Sequence, residues 1–348
     1  MHIPDGFLNN GINVATFVVS AGACAYAVKR VNQNFGEREV PLMGVTAAFI
    51  FAAQMINFPV AGGTSGHFLG AVFSSVLLGP WASLLIMTIV LIVQCLGFAD
   101  GGLTALGSNI FNMGIVGALA GYAIFSILYT LFRKSRKGFF VALAVSSWFS
   151  IVMGASAAAI ELAISGTSPL KITLPTMAGI HAIIGIGEAT ITATAVSLIL
   201  KTRPDLVSSY VPPSLPYPAR ERMRAGVSRE CPMKRRLDGF IWVGLGISLL
   251  LALFLSPFAS PSPDGLEKVA ETKGFADKGG SWKLWKHAPF SDYAIPWIKN
   301  EKVSTALSGL IGTLAIFLIV TGIGRLIRKP PTKSLPPPFA KGGKGGTI

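Results

Sequence analysis

The sequence predicts an all-α fold, a polytopic transmembrane helix bundle made of a seven-span module followed by a two-span C-terminal module. Three observations carry that prediction. Of 348 residues, 51% are hydrophobic and only 13% charged, where a water-soluble chain of this size carries roughly 25% charged residues. The mean hydropathy is +0.59. Apolar runs near the bilayer-spanning length of about 20 residues recur with short polar interruptions. A soluble globular enzyme is thereby excluded. The three cysteines (Cys24, Cys95, Cys231) are scattered, so no disulfide framework or thiolate metal cluster is expected.

The runs lie near 11–28, 41–58, 67–79, 80–98, 103–132, 139–164, 175–200, 239–256 and 304–326. The first has no Lys or Arg before it, carries Asp5 upstream and is followed by Lys29 and Arg30. That inverts a secretory signal, so Met1 is read as the mature N-terminus, facing outward. The third run is short and abuts the fourth at Gly79-Pro80, which reads as a tilted or partly re-entrant helix. With nine crossings and an outer N-terminus, the segments 29–40, 133–138, 201–238 and 325–348 hold 22 of the 30 Lys and Arg, as the positive-inside rule favours. The net charge of +14 is therefore topological. The basic segments are split among loops without an interleaved aromatic platform, so nucleic acid is not an expected partner.

Residues 1–204 read as the first module and 205–237 as a basic, Pro-rich cytoplasmic linker. Residues 238–328 read as the two-span accessory module with an outer loop at 257–303, and 329–348 as a disordered Pro/Gly-rich cytoplasmic tail. Trp282, Trp285 and Trp297 with Lys283 and Lys286 suit that loop to the lipid headgroup region; an ordinary aqueous loop is equally open. Small-xxx-small pairs at Ala21/Ala25, Ala48/Ala52, Gly117/Gly121 and Ala189/Ala193 permit close helix contact.

No phosphate loop, zinc-protease motif, nucleophile elbow or dinucleotide fingerprint occurs in the chain. The chemistry rests on histidine. A histidine at position 2 offers three nitrogens along one backbone: the Met1 amine, the His2 amide once deprotonated, and the His2 imidazole Nδ1. They close fused chelate rings in a near-planar set, which Ni(II) or Cu(II) prefers. The Pro4-Asp5-Gly6 turn would bend this terminus back toward His67, which sits beside Gly62-Gly63-Thr64-Ser65-Gly66 and supplies a fourth donor. A frayed terminus and a helix-start histidine bonded to a carbonyl are the alternative.

The opening MHIPDGFL, the segment QMINFPVAGGTSGHFLGA at 54–71 and GIHAIIGIGEATITA at 179–193 together resemble the substrate-binding (S) component of nickel/cobalt energy-coupling-factor transporters, the NikM/CbiM family. The resemblance spans about residues 1–203. It implies metal ligation by the Met1 amine, by His2 through amide and imidazole, and by His67. PSPDGLEKVAE at 261–271 resembles the two-span NikN-like (PDGLE) accessory subunit, here fused to the same chain. The family implies a membrane coupling (T) protein and ATP-binding cassette ATPases as partners, and help from the accessory module in metal loading or release. It also implies a multi-pass place in the plasma (inner) membrane of a prokaryote, among membrane lipid, with the N-terminus outside and the C-terminus cytoplasmic. The transported ligand is expected to be Ni(II), with Co(II) as the alternative. A planar field suits Ni(II), and IPDG at 3–6 is similar to the nickel members. No enzyme activity and no resident cofactor are expected. An ATP-independent channel or secondary transporter stays open as a different class, although no internal inverted repeat is visible.

His181 and Glu188 are seven residues apart on one helix, project from nearly one face, and are rare intramembrane polar groups. Supporting the metal ligands, releasing the metal, or pairing helices are all open roles. Asn57 and Ser65 are expected to support His67, with turn satisfaction the plainer reading. Asp100 and Glu161 lie near outer span ends, as a cation entrance or as interfacial residues. His287 reads as a surface histidine.

Overall fold

A computed structural model describes residues 1–60, 62–210, 234–280, 284–285 and 287–327. The linker expected at 205–237 falls largely, and the tail expected at 329–348 wholly, outside the described residues. Trp282, Lys283 and Lys286 lie outside them too.

Helix α1, Asn10–Asn34, starts at Asn9, whose side chain accepts the Ile12 amide, a standard satisfaction of first-turn donors. Helix α2 spans Glu39–Gln54. A small hairpin follows, β1 (Phe58–Val60) pairing antiparallel with β2 (Thr64–Gly66), with Gly62 and Gly63 at positive φ. Then come α3 (Ala71–Leu78), α4 (Pro80–Phe98), α5 (Leu106–Leu131), α6 (Arg136–Ile164) and α7 (Leu170–Thr202). The C-terminal module supplies α8 (Leu237–Phe258), the short α9 (Gly265–Lys273) and α10 (Glu301–Ile327). Among the described residues, seven helices are long and apolar enough to cross a membrane: α1, α4, α5, α6, α7, α8 and α10. The fold is thus a polytopic helical bundle.

Two predicted spans differ from the rest. Helix α2 has 16 residues and is almost wholly buried, because α8 and α10 pack over it. The contact is close: a Cβ on Gly44 would lie 2.2 Å from Thr321 Oγ1, and one on Gly312 would lie 2.4 Å from Phe51. The C-terminal module is therefore packed on the first module through α2. The stretch 67–79 is helical only over eight residues, α3, too short to cross at about 1.5 Å per residue. Residues 67–70 are unwound because Gly70 takes φ +78° and the Glu188 carboxylate accepts the Leu69 and Gly70 amides at 2.6 and 3.0 Å. Irregular backbone is stable at such depth when it is buried in protein and its polar groups are satisfied. Gly79 (φ +87°) and Pro80 then end α3 and start α4.

Contacts sort the loops onto two faces. On one, Thr167 bonds the Phe7 carbonyl, Ser65 bonds the Pro263 carbonyl, and Trp285 donates to the Leu96 carbonyl. On the other, Arg38 pairs with Asp205, and the Ser208 and Ser209 amides reach Leu77 and Val76. Lateral faces stay apolar: Val14, Phe17 and Val18 of α1 are all more than half exposed, as lipid contact requires. Gly117 and Gly121 admit Ala71 and Val72 of α3 at close range, so this small-residue pair is internal packing.

Candidate metal centre

The N-terminal segment enters the bundle instead of fraying. Met1 is 4% and Ile3 0% exposed. Asn109, at the head of α5, holds Ile3 at two points, accepting its amide at 2.8 Å and donating to its carbonyl at 3.1 Å. The Gly102 amide also reaches the Ile3 carbonyl at 2.9 Å. Asp5 turns the chain by accepting the Thr104 amide and hydroxyl at 2.8 and 2.7 Å, while Gly6 takes φ +86°. The approach excludes a side chain at Gly102, where a Cβ would lie 2.2 Å from the Asp5 nitrogen.

This docking brings the Met1 amino nitrogen to 3.3 Å from His67 Nε2. His67 Nδ1 is 3.1 Å from the Phe68 carbonyl. A carbonyl only accepts, so Nδ1 carries the proton and Nε2 presents its lone pair to the amine. The His2 ring stacks on His67, centroids 5.3 Å apart and planes at 12°. Its Nδ1 lies 2.9 Å from Asp100 Oδ1, and its buried Nε2 has no hydrogen-bond partner among the described residues. The three expected ligand residues are therefore neighbours. Closing a chelate through His2 Nδ1 requires that atom to leave Asp100.

The other predicted residues divide. His181 is buried, its Nδ1 donating to the Met177 carbonyl at 2.8 Å. It lines one small cavity with Met1, Ser65, His67 and Asp264. Glu188 holds the backbone just after His67 through Leu69 and Gly70. Ser65 is fully buried and turned to the C-terminal module, its hydroxyl donating to the Ser262 carbonyl at 2.8 Å. Asn57 meets the same module through its carbonyl, which accepts the Ser260 amide at 2.7 Å. Glu161 accepts from Asn112 at 2.9 Å and is not among the residues lining the cavity at Met1. His287 is exposed.

Sequence reasoning missed Asn109, Asp264 and Tyr293 and gave Asp100 no specific partner. Asp264 caps α9 in a reciprocal box with Glu267 and places Oδ2 2.5 Å from the Met1 amine. Burial alone would raise the Asp264 carboxyl, but the adjacent N-terminal ammonium holds it well below the usual range. Asp100 is likewise held low against its burial, by His2 and by the Tyr293 hydroxyl at 2.6 Å. Burial, with Asp100 beside it, pushes the Tyr293 phenol well above its ordinary value. The only signal for these roles was PDGLE itself, whose Asp and Glu at N-cap and N3 spell a capping box.

A bundle of membrane-spanning length with the Met1, His2 and His67 nitrogens gathered at one face defines a class, the polytopic helical membrane proteins with a candidate metal centre. Residues 2–206 match the family described as cobalt uptake substrate-specific transmembrane region, and residues 238–329 match the PDGLE domain. The chain belongs to that cobalt-uptake family. It is 42% identical over 215 residues to a putative fused nickel transport protein of Archaeoglobus fulgidus, covering 61% of this chain and 70% of that one. It is 28% identical over 351 residues to the fused nickel transport protein NikMN of Rhodobacter capsulatus, covering 93% and 96%. A crystal structure of a transition metal transporter superposes with a TM-score of 0.53 at 33% identity, over 58% of this chain and 93% of that one.

Proposed function

We propose that this chain is the substrate-binding subunit of an ATP-driven energy-coupling-factor transporter that captures Ni(II) at its N-terminus and imports it. The observation that carries the reading is the burial of the Met1 amine against His67, with His2 stacked alongside. The amine, the His2 amide and imidazole, and His67 Nε2 supply four nitrogens, matched to a borderline divalent ion with a planar preference. Nickel is named in relatives that share the fused arrangement along nearly the whole chain; Co(II) is the alternative cargo, named for a relative that aligns with 60% of this chain.

In this reading the metal enters from the face that holds the N-terminus, which lies outside a prokaryotic plasma membrane, while the C-terminus is cytoplasmic. A coupling protein and ATPases in the same membrane complex supply the energy. His181 and Glu188 support the ligands instead of binding metal. His181 lines the wall of the site, and Glu188 fixes the unwound segment that carries His67. Metal titration of the purified chain, compared with a variant bearing one added residue before Met1, tests the ligand set. The added residue moves the free amine out of the chelate ring, so binding should be lost. Retained nickel binding at the same strength would contradict the proposal. Nickel movement in liposomes driven by a gradient alone, with no ATPase partner, would assign a channel or secondary transporter instead.

A further inference from the structure

Helix α7 ends at the face that holds Arg38 and Asp205, and an open groove of about 530 Å³ runs beside its last turns. Phe140 of α6 lines it with Ala193, Thr194, Ser197, Leu198 and Lys201 of α7. The α7 residues fall at i, i+1, i+4, i+5 and i+8, one face of a helix. Their character changes in order toward the helix end: Ala193 is apolar, Thr194 and Ser197 carry hydroxyls, and Lys201 carries a charge. With 33 residues, α7 is about 50 Å long against a hydrocarbon core of about 30 Å, so its last two turns reach the headgroup region. Ser197 and Thr194 lie about 6 and 10 Å in from Lys201, at the edge of the hydrocarbon.

The hydroxyls are unusual for such a position. Thr190 and Thr202 of the same helix donate to the carbonyls of Ile186 and Leu198 at 2.7 and 3.0 Å, the ordinary satisfaction of a helical threonine. Thr194 and Ser197 make no hydrogen bond among the described residues. Across the groove, Arg136 and Lys137 precede Phe140 by four and three residues, so they stand on its side of α6. Both are exposed in the first turn, where cations oppose the helix dipole and an anion relieves that conflict. Neither they nor Lys201 pair with a carboxylate among the described residues.

We propose that this groove binds one anionic glycerophospholipid. Lys201 takes the phosphate with Arg136 and Lys137 at the rim, Thr194 and Ser197 donate to the ester carbonyls, and an acyl chain lies along Phe140, Ala193 and Leu198. The order of apolar, hydroxyl and cationic groups along α7 is the order of chain, ester and phosphate along such a lipid, and basic pockets between membrane helices suit anionic headgroups. No residue of the metal site takes part, so the inference stands or falls apart from the function proposed above.

The test is native mass spectrometry of the full chain in detergent, titrated with phosphatidylglycerol and, separately, with phosphatidylcholine of the same acyl chains. The unaltered chain should hold one phosphatidylglycerol about tenfold more tightly than phosphatidylcholine. Lys201→Gln should erase that preference and Lys201→Arg should restore it. Lys171→Gln, at the other end of α7, should leave it intact. Thr194→Val with Ser197→Ala should weaken both lipids by a similar factor, because both carry the ester. Equal affinity of the unaltered chain for the two lipids would overturn the proposal, and equal effects of Lys201→Gln and Lys171→Gln would reduce the preference to net charge and overturn it too. Displacement of the lipid by excess inorganic phosphate would overturn it in favour of a bare anion site. Retention of no lipid by the unaltered chain would overturn it and leave the groove to a helix of a membrane partner.

Discussion

The Met1 amino nitrogen and His67 Nε2 lie 3.3 Å apart across 66 positions of sequence. An α-amine is costly to bury and is here paired with Asp264 Oδ2 at 2.5 Å, while His67 satisfies its Nδ1 on Phe68 and turns Nε2 to the amine. The protein nevertheless builds a dedicated cradle for that terminus, from Asn109, Gly102 and Asp5 on one side and Asp264 on the other.

If His67 Nε2 is a metal donor and His181 only lines the site, the two alanine variants should differ. His67→Ala should lose nickel affinity by more than 100-fold, and His181→Ala by about tenfold, the scale of a supporting contact. Isothermal titration reads both. Equal losses would make His181 a ligand.

Glu188 uses both carboxylate oxygens on the Leu69 and Gly70 amides. Glu188→Gln keeps only one acceptor, and the orphaned buried amide should cost about 1–3 kcal/mol of stability. Nickel affinity should fall about 10–100-fold as His67 loses its anchor. Thermal unfolding in detergent and metal titration check the pair. A variant with unaltered affinity would show that the unwound segment positions itself.

Gly102→Ala sets a Cβ against the Asp5 nitrogen and the Pro4 carbonyl carbon at 2.2 and 2.6 Å. Both are backbone, so the N-terminal segment must lift away while the helices stay. Nickel binding should be lost with the bundle still folded, read by metal stoichiometry and circular dichroism. Retained stoichiometric binding would place the site elsewhere.

Asp100 and Asp264 both sit well below the usual carboxylate range. A carboxylate with a lowered value contributes its ion pair above its unfolded value, near 3.9, and loses it only as the pH falls through the lowered one. Between about pH 8 and pH 5 both stay ionised, and proton competition for nitrogen ligands should weaken nickel binding across that window. Titrations should show affinity falling on acidification. A constant affinity would contradict amine, amide and imidazole ligation.

Much of this was legible in the residues. The apolar runs outline the spans because lipid tolerates few charges, and His2 and His67 stand out because each sits where its chemistry is unusual. What sequence could not show is long-range pairing. Asn109 meets Ile3 across 106 positions, Tyr293 meets Asp100 across 193, and Asp264 meets Met1 across 263. No local pattern encodes such contacts. The stretch 67–79 reads as helix by composition, yet Glu188, more than a hundred residues on, takes the two amides that a longer α3 would begin from.

The most direct measurement is a Ni(II) titration of the purified chain with its native N-terminus, followed by absorption and magnetism, beside the variant extended by one residue before Met1. A one-to-one, yellow, diamagnetic planar nickel species that disappears in the extended variant is the expected result. Binding indifferent to the added residue would contradict it.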